Sequence, residues 1–489
     1  MNQPTNLIAI DLGASGGRVV VGELSGSRLV MHEAGRFAHE PSQVDGTWRW
    51  DWAAIQAGVR EGLSSAVARF GAPAGLSCDS WAVDFGLLDE AGQLLERPAC
   101  YRDQRTDGMP QSFADIITPD ALVRRVGAMA LPIITLCQLR AMALTEPQKL
   151  HLARTLLHIA DLMHYDLCGV AVTDRTMATA SGLRNLDADE WDLDLLAKLG
   201  IPTHFLPEMV PAPAAIGEVR EHYEGPSDLV GVPVISTAGH DTAAASVLCT
   251  DDDHLFLSCG TWSMLGSMSQ KPFVTDTMAT DMLETIAAGR GRWTTMCPLT
   301  GLWQLQQCML SWRRDGLADS WEELIAEAAA LPGAVEALIN VGDSELTVPT
   351  EMPAAIAAYC QRTGQPVPAT PPEMARSILY SLALEHRLGI ETQRRVTGRE
   401  FTALRMVGGG TANQLLCQLT ADAIGMPVIA GPTEATSAGV LLMEAEVLGL
   451  LGDNLREAIE ASFAPVTYEP RQALGEGLVA RYRELKGLA

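Results

Sequence analysis

Residues 7–24 read L-I-A-I-D-L-G-A-S-G-G-R-V-V-V-G-E-L. Ile8, Ala9 and Ile10 form one short apolar run and Val19, Val20 and Val21 another. Between them lie Asp11, Gly13, Ala14, Ser15, Gly16, Gly17 and Arg18. Short apolar runs bounded by glycines read as buried strands, so the stretch predicts strand, turn, strand. Glycines let backbone N–H groups crowd around one point, a concavity that suits a phosphate. Asp11, at the strand end, has the carboxylate oxygens that a magnesium ion prefers, held through water. No Gly-Lys-Ser/Thr follows and the chain re-enters a strand, so this is not a Walker loop. A plain glycine hairpin with a solvated Asp would carry the same letters.

The second half repeats the device. Residues 254–266 read H-L-F-L-S-C-G-T-W-S-M-L-G, with a strand at 255–257, a turn at 258–263 and a second strand leading out. Two such hairpins in one chain predict two related domains, each bringing one phosphate clamp.

The 489 residues carry 47% hydrophobic and 19% charged side chains, ordinary for a globular chain of two or three domains. The net charge of −25 argues against nucleic acid or an anionic membrane surface as partner. Residues 1–6 lack the basic and apolar regions of a secretory signal, and no apolar run is long enough to span a bilayer. The ten cysteines contain no Cys-x-x-Cys pair, so reduced thiols in a cytoplasmic protein are expected.

Further along, 48–70 has helical spacing at Ile55, Val59, Leu63 and Val67. Next, S-C-D-S-W-A-V-D-F-G-L-L at 77–88 mixes Asp79, Trp81 and Asp84 as a sugar pocket would, or as a strand with a packed aromatic would. Arg102, Asp103 and Arg105 suit either hydroxyl binding or a surface ion-pair cluster. His158, Asp161 and His164 share one helix, where flanking leucines favour a structural role over a metal site. Residues 202–213 read as a proline-rich connection and 233–237 as a strand. A-G-H-D-T-A-A-A-S-V at 238–247 then places Asp241 at or near a helix N-terminus, where it is either a cap or a functional carboxylate. A helix start is expected at 301–306, a peripheral helix over 318–342 and an exposed proline-rich loop at 364–372. Residues 404–430 read as strand, glycine turn, helix, strand, and helices are expected at 434–448 and 477–488.

The ordered set D-L-G-A-S-G-G-R, S-W-A-V-D-F, Y-R-D-Q-R-T, G-H-D-T-A, S-C-G-T-W-S, G-L-W-x-L-Q and V-G-G-G-T-A-N-Q-L-L resembles the FGGY carbohydrate kinases, and among them the rhamnulokinase branch. The likeness runs from the first strand to about Glu444. It implies an α/β fold of two ribonuclease-H-like (actin-like) domains with a cleft between them. The expected division is 1–243, 244–455 and a C-terminal helical segment, 456–489, packing back. It further implies phosphoryl transfer from ATP, with magnesium, to the 1-hydroxyl of a ketose, L-rhamnulose first. No nucleic acid and no membrane enter this scheme.

By that resemblance Asp241 is the general base. Gly13 and Ala14–Arg18 meet the ATP phosphates, and Asp11 holds magnesium through water. Gly260 and Thr261 lie at the transferring phosphoryl, while Gln306, Gly409, Gly410 and Asn413 line the nucleotide site. The sugar falls to Asp79, Trp81, Ala82, Arg102, Asp103, His240, Asp241, Thr242 and Pro298. Two of these depart from the branch pattern, which has glycine at Ala82 and asparagine at Pro298. L-fuculokinase or another ketose kinase shares most of the same signals. An actin-like ATPase would share both hairpins without needing a sugar. A sugar-sensing repressor would need a helix-turn-helix segment before the first strand, and none is visible.

Overall fold

In a computed structural model of the chain, which describes residues 4–347, 349–452 and 454–488, residues 7–24 form the expected hairpin. Strand Thr5–Gly13 pairs antiparallel with Gly16–Ser25, with Asp11 opposite Arg18 and Gly13 opposite Gly16 across a two-residue turn. The chain divides into two units. The first comprises Met1–Thr250, Ser269–Thr295 and Ala435–Ala464; the second comprises Asp251–Met268, Met296–Glu434 and Pro465–Ala489.

The sheet of the first unit runs, edge to edge, Ala214–Glu218, Pro233–Ser236, Leu76–Ser80, Thr5–Gly13, Gly16–Ser25 and Arg28–Ala38. Thr5–Gly13 runs parallel to Leu76–Ser80 and antiparallel to Gly16–Ser25, which is antiparallel to Arg28–Ala38. Ile8, Ile10, Val19 and Val21 pack on one face with Ile55, Val59 and Leu63 of helix Trp52–Phe70. The other face meets helix Ala435–Val447, whose Leu441 presses on Gly22. Covering both faces turns the strand sequence into an unbroken apolar run. Each such side chain, fully buried, contributes about 1.5–3 kcal/mol.

The second unit repeats the plan. His254–Cys259 pairs antiparallel with Trp262–Ser269 and parallel with Ala403–Val407, which runs parallel to Val428–Ala430. In both units, therefore, a glycine hairpin is followed by parallel strands added beside its first strand. The repeat is the one expected from the two hairpins, and the order fits the ribonuclease-H-like fold that the family resemblance implied.

Three expected element bounds need correction. The helix predicted at 48–70 begins at Trp52, because Asp51 caps it by accepting the Ala54 N–H and Thr47–Arg49 is instead a short strand paired with Ser42–Val44. Of 318–342, only Trp321–Ala330 is helical; Pro332 and Gly333 follow closely. The loop predicted at 364–372 ends early, since Pro371 and Pro372 open the long helix Pro371–Thr397 behind a Thr370–Glu373 capping box. Among the described residues, no helix is long and apolar enough to cross a membrane. All ten cysteines are free thiols.

Candidate active site

In the first unit the parallel strands end together. Trp81 donates its N–H to Leu12 O and Ser80 donates its N–H to Gly239 O, which stitches three segments side by side. Asp11, Asp79 and Asp241 thereby share one end of the sheet.

Asp11 is nearly buried. Its Oδ2 accepts from Arg18 Nη2 at 2.6 Å, Arg18 Nε at 3.0 Å and Ser437 Oγ at 2.9 Å. A cavity of about 410 Å³ opens over the hairpin, lined by Asp11, Gly13, Ser15, Gly16, Arg18 and Arg36 among others. Gly17 also lines it, and Ala14 completes the turn. Gly16 and Gly17 are needed for a reason the sequence did not reveal. A Cβ on Gly16 would stand 2.7 Å from Phe37 O, and one on Gly17 would stand 2.3 Å from the Phe37 ring. The third strand thus approaches too closely for any side chain. It also brings Arg36 across from Arg18, a second cation that sequence reading missed.

Asp79 is fully buried, and neither carboxylate oxygen has a hydrogen-bond partner among the described residues. Burial, then the charges of Asp11 and Asp241, push its pKa well up. Oxygen donors beside a phosphate-sized cavity fit magnesium, which is commonly held by one or two carboxylates, water and substrate phosphates. No group of three or more His, Cys, Asp or Glu side chains among the described residues forms a complete metal cage. Asp11 would therefore contribute only part of a coordination shell.

Asp241 is the first residue of helix Asp241–Ser246, and its side chain is 40% exposed. Its Oδ1 accepts from Thr242 N and Thr242 Oγ1, while Oδ2 has no protein partner among the described residues. The segment is anchored from behind by Asp174, absent from the expected site. Asp174 Oδ1 accepts from Thr176 N at 2.6 Å, and Oδ2 accepts from Gly239 N at 3.1 Å. A Cβ on Gly239 would sit 2.5 Å from Asp174 Oδ2, so only glycine permits this bond. His240 donates its backbone N–H to Thr176 Oγ1, and its ring Nε2 lies 3.4 Å from Asp241 Oδ1. Burial holds the His240 imidazole below its ordinary pKa.

Trp81 is not an open platform. It packs on Trp50 at a ring separation of 4.6 Å and on His39 at 5.5 Å. Asp84, wholly buried, organises this cluster: Oδ2 accepts from Trp50 Nε1 (2.7 Å), Trp81 Nε1 (3.0 Å) and Tyr101 N (3.1 Å), and Oδ1 from Gln138 Nε2 (2.9 Å). Ala82, half-buried, lies between the two anchored residues. Asp103 spends its oxygens on Trp48 N and Arg105 N, fixing the turn at Gln104–Thr106. Arg102 is exposed and bonds Tyr101 Oη at 3.1 Å.

The His158–Asp161–His164 trio is structural. Asp161 accepts from Thr173 Oγ1, and His164 Nε2 accepts the Cys78 N–H at 2.9 Å. Burial lowers the His164 pKa to about 4, so its ring is neutral.

In the second unit, helix Trp303–Asp315 starts against the hairpin turn. Leu302 N donates to Gly260 O at 2.8 Å, Trp303 N to Thr261 O at 3.2 Å, and Thr261 Oγ1 bonds Gln306 Oε1 at 3.1 Å. A cavity of about 920 Å³ is lined by Gly260, Gln306, Trp321, Gly409, Asn413 and Tyr468, with further apolar walls. Gly410 lies beneath it, where a Cβ would strike Cys259 Sγ at 2.4 Å. Asn413 caps helix Gln414–Ile424 by accepting the Leu416 N–H. Trp321 and Tyr468 come from elements that sequence reading assigned no role. Pro298 lies exposed on strand Trp293–Thr300, in the part belonging to this unit.

The comparisons with known proteins now decide the family. Residues 6–249 match the N-terminal domain, and residues 255–445 the C-terminal domain, of the FGGY family of carbohydrate kinases. A curated rhamnulokinase from Bacteroides thetaiotaomicron is 34% identical over 472 residues, 95% of this chain and 96% of its own. One from Yersinia pestis is 36% identical over 451 residues, 91% of each chain. The chain belongs to the FGGY family of carbohydrate kinases. It is an ATP-dependent sugar kinase of rhamnulokinase-like sequence. Solved structures agree on the fold. A xylulose kinase from Lactobacillus acidophilus superposes with a TM-score of 0.78 at 18% identity, covering 99% of this chain and 96% of that one. A Plasmodium falciparum glycerol kinase with ADP gives 0.80 at 14% identity, covering 99% and 97%. These FGGY neighbours share the two-domain, actin-like α/β architecture.

Proposed function

We propose that this FGGY kinase transfers the γ-phosphoryl of ATP to the 1-hydroxyl of a ketose, L-rhamnulose first, with Asp241 as general base. The observation that carries this reading is Asp241 itself. Its Oδ1 is tied down by Thr242, its Oδ2 has no protein partner among the described residues, and Asp174 fixes the preceding Gly239. A carboxylate held this way can take the hydroxyl proton while the sugar oxygen bonds to phosphorus and the bridging oxygen leaves with ADP. The resemblance of the whole chain to rhamnulokinases supports L-rhamnulose as the acceptor.

Around that step each group has a task. The Gly13–Arg18 hairpin and Arg36 bind phosphate, and the Thr261–Gln306 turn orients it. The 920 Å³ cavity receives the nucleotide base against Trp321 and Tyr468. His240, Thr242 and the Trp81–Ala82 segment meet the sugar. Magnesium, when bound near Asp11, neutralises charge on the phosphoryl oxygens. Function would then divide as 1–243 for acceptor and phosphates, 244–455 for nucleotide and 456–489 as support that also lends Tyr468 to the nucleotide cavity.

ADP release measured across L-rhamnulose, L-fuculose, L-xylulose, L-ribulose, polyols and aldoses tests the reading. Turnover that requires magnesium and is highest with a ketose is expected. ATPase activity indifferent to every sugar would instead indicate a hydrolase.

A further inference from the structure

The first unit contains a second cavity, of about 260 Å³, whose lining includes Arg175, Arg184, Asp189, Lys271, Arg292 and Trp293. Four cationic side chains and one carboxylate therefore meet around one space, in a protein of net charge −25. Such a local excess of positive charge raises the concentration of small anions.

Arg184 is the informative member. It is only 2% exposed, and its guanidinium lies over the Trp293 ring at 5.0 Å. One terminal nitrogen donates to Thr179 Oγ1 at 2.8 Å and the other pairs with Asp189. Among the described residues its Nε has no hydrogen-bond partner, and neither has Nε of Arg175. Asp189 cannot neutralise Arg184 alone, because its other oxygen pairs with Arg175 at 3.1 Å. Burial first, and repulsion from Arg175 second, hold the Arg184 pKa down to about 10. A buried cation left short of negative charge is costly unless an anion joins it. Planar guanidinium forks match phosphate oxygens in pairs.

We propose that this cavity is an anion-binding site for a small phosphate-bearing molecule, held by Arg175, Arg184, Lys271 and Arg292. The cavity lies just below the usual range for organic ligands, about 300–1,000 Å³. A phosphate with a small organic group fits that size, the group lying against Trp293.

The test is titration of the full-length protein with inorganic phosphate, and separately with glycerol 3-phosphate, at constant ionic strength. Calorimetry or ³¹P line broadening gives the readout. The parent is compared with an Arg175→Gln, Lys271→Gln double variant, chosen because both side chains reach solvent and the fold should tolerate their loss. An Arg18→Gln variant removes phosphate binding at the glycine hairpin. Removing two charge-assisted contacts should weaken phosphate at this cavity about tenfold or more. The site is supported if Arg18→Gln retains one saturable phosphate event that the double variant loses. Tighter glycerol 3-phosphate binding would assign a phosphomonoester, and equal binding the free ion. Overturning results are phosphate binding unchanged in the double variant, or no saturable event left in Arg18→Gln. Matching melting temperatures would show the double variant folded.

Discussion

Asp79 stands directly across from Asp11 on neighbouring parallel strands, fully buried and without a hydrogen bond to either carboxylate oxygen among the described residues. Two carboxyls side by side cannot both ionise cheaply. Burial first, and then the nearby charges of Asp11 and Asp241, raises the Asp79 pKa well above the ordinary carboxylate value, so Asp79 keeps its proton.

That arrangement predicts a pH-dependent cost. The folded pKa of Asp79 is raised, so above about pH 4 the unfolded chain releases a proton that the folded chain keeps. Stability is undiminished below that pH and falls as pH rises towards the folded pKa. Each tenfold in proton affinity is worth about 1.4 kcal/mol. Asp79→Asn abolishes the cost, so its melting temperature should gain on the parent progressively above pH 4. A difference between the two that stays constant across pH would show that Asp79 keeps no proton.

Asp241→Asn should leave the fold and ATP binding intact and lower kcat by about a hundredfold or more, because the amide cannot take the hydroxyl proton. Thr242 N and Oγ1 can still donate to the amide oxygen, so helix Asp241–Ser246 keeps its first turn. Retention of most of the turnover with the best sugar would reduce Asp241 to a helix-end residue.

How much was legible beforehand follows from where the partners lie. The two hairpins were readable because glycine turns between short apolar runs are local signals. The place of Asp241 at the start of a helix was readable because a run of small residues follows at once. The anchoring roles of Asp84 and Asp174 were not, since their partners are far away in sequence: Asp84 binds Trp50 and Gln138, and Asp174 binds Gly239. Arg36 was missed because only strand pairing brings it opposite Arg18. The helix start within 48–70 is masked because Trp48, Trp50 and Trp52 are bulky and apolar on both sides of it. Trp48 belongs to the strand Thr47–Arg49, whereas Trp52 is the first helical residue after the Asp51 cap.

Asp84→Ala would strand two indole N–H groups, the Tyr101 amide and the Gln138 side chain. Unsatisfied buried donors cost about 1–3 kcal/mol each, partly relieved by water. A total loss of about 3–5 kcal/mol is expected in denaturant unfolding. Because Asp84 fixes Trp81 and hence Ala82, the sugar KM should rise well beyond the ATP KM. Equal changes in both would confine Asp84 to general stability.

The last prediction concerns the sugar. Ala82 places a methyl group where the rhamnulokinase pattern has bare backbone, and the Asp84 anchors leave that segment little room to shift. Pro298, exposed on its strand, has no side-chain amide to bond a hydroxyl. Losing one such bond costs about 1–3 kcal/mol unless water replaces it. That is enough to alter preference among related ketoses by roughly ten- to a hundredfold, though not enough to change the reaction. The parent should therefore accept L-rhamnulose with reduced discrimination against L-fuculose, L-xylulose or L-ribulose. An Ala82→Gly, Pro298→Asn double variant should gain selectivity for L-rhamnulose in kcat/KM. If the parent already strongly prefers L-rhamnulose and the double variant gains nothing, neighbouring groups compensate for both departures and the altered preference is refuted.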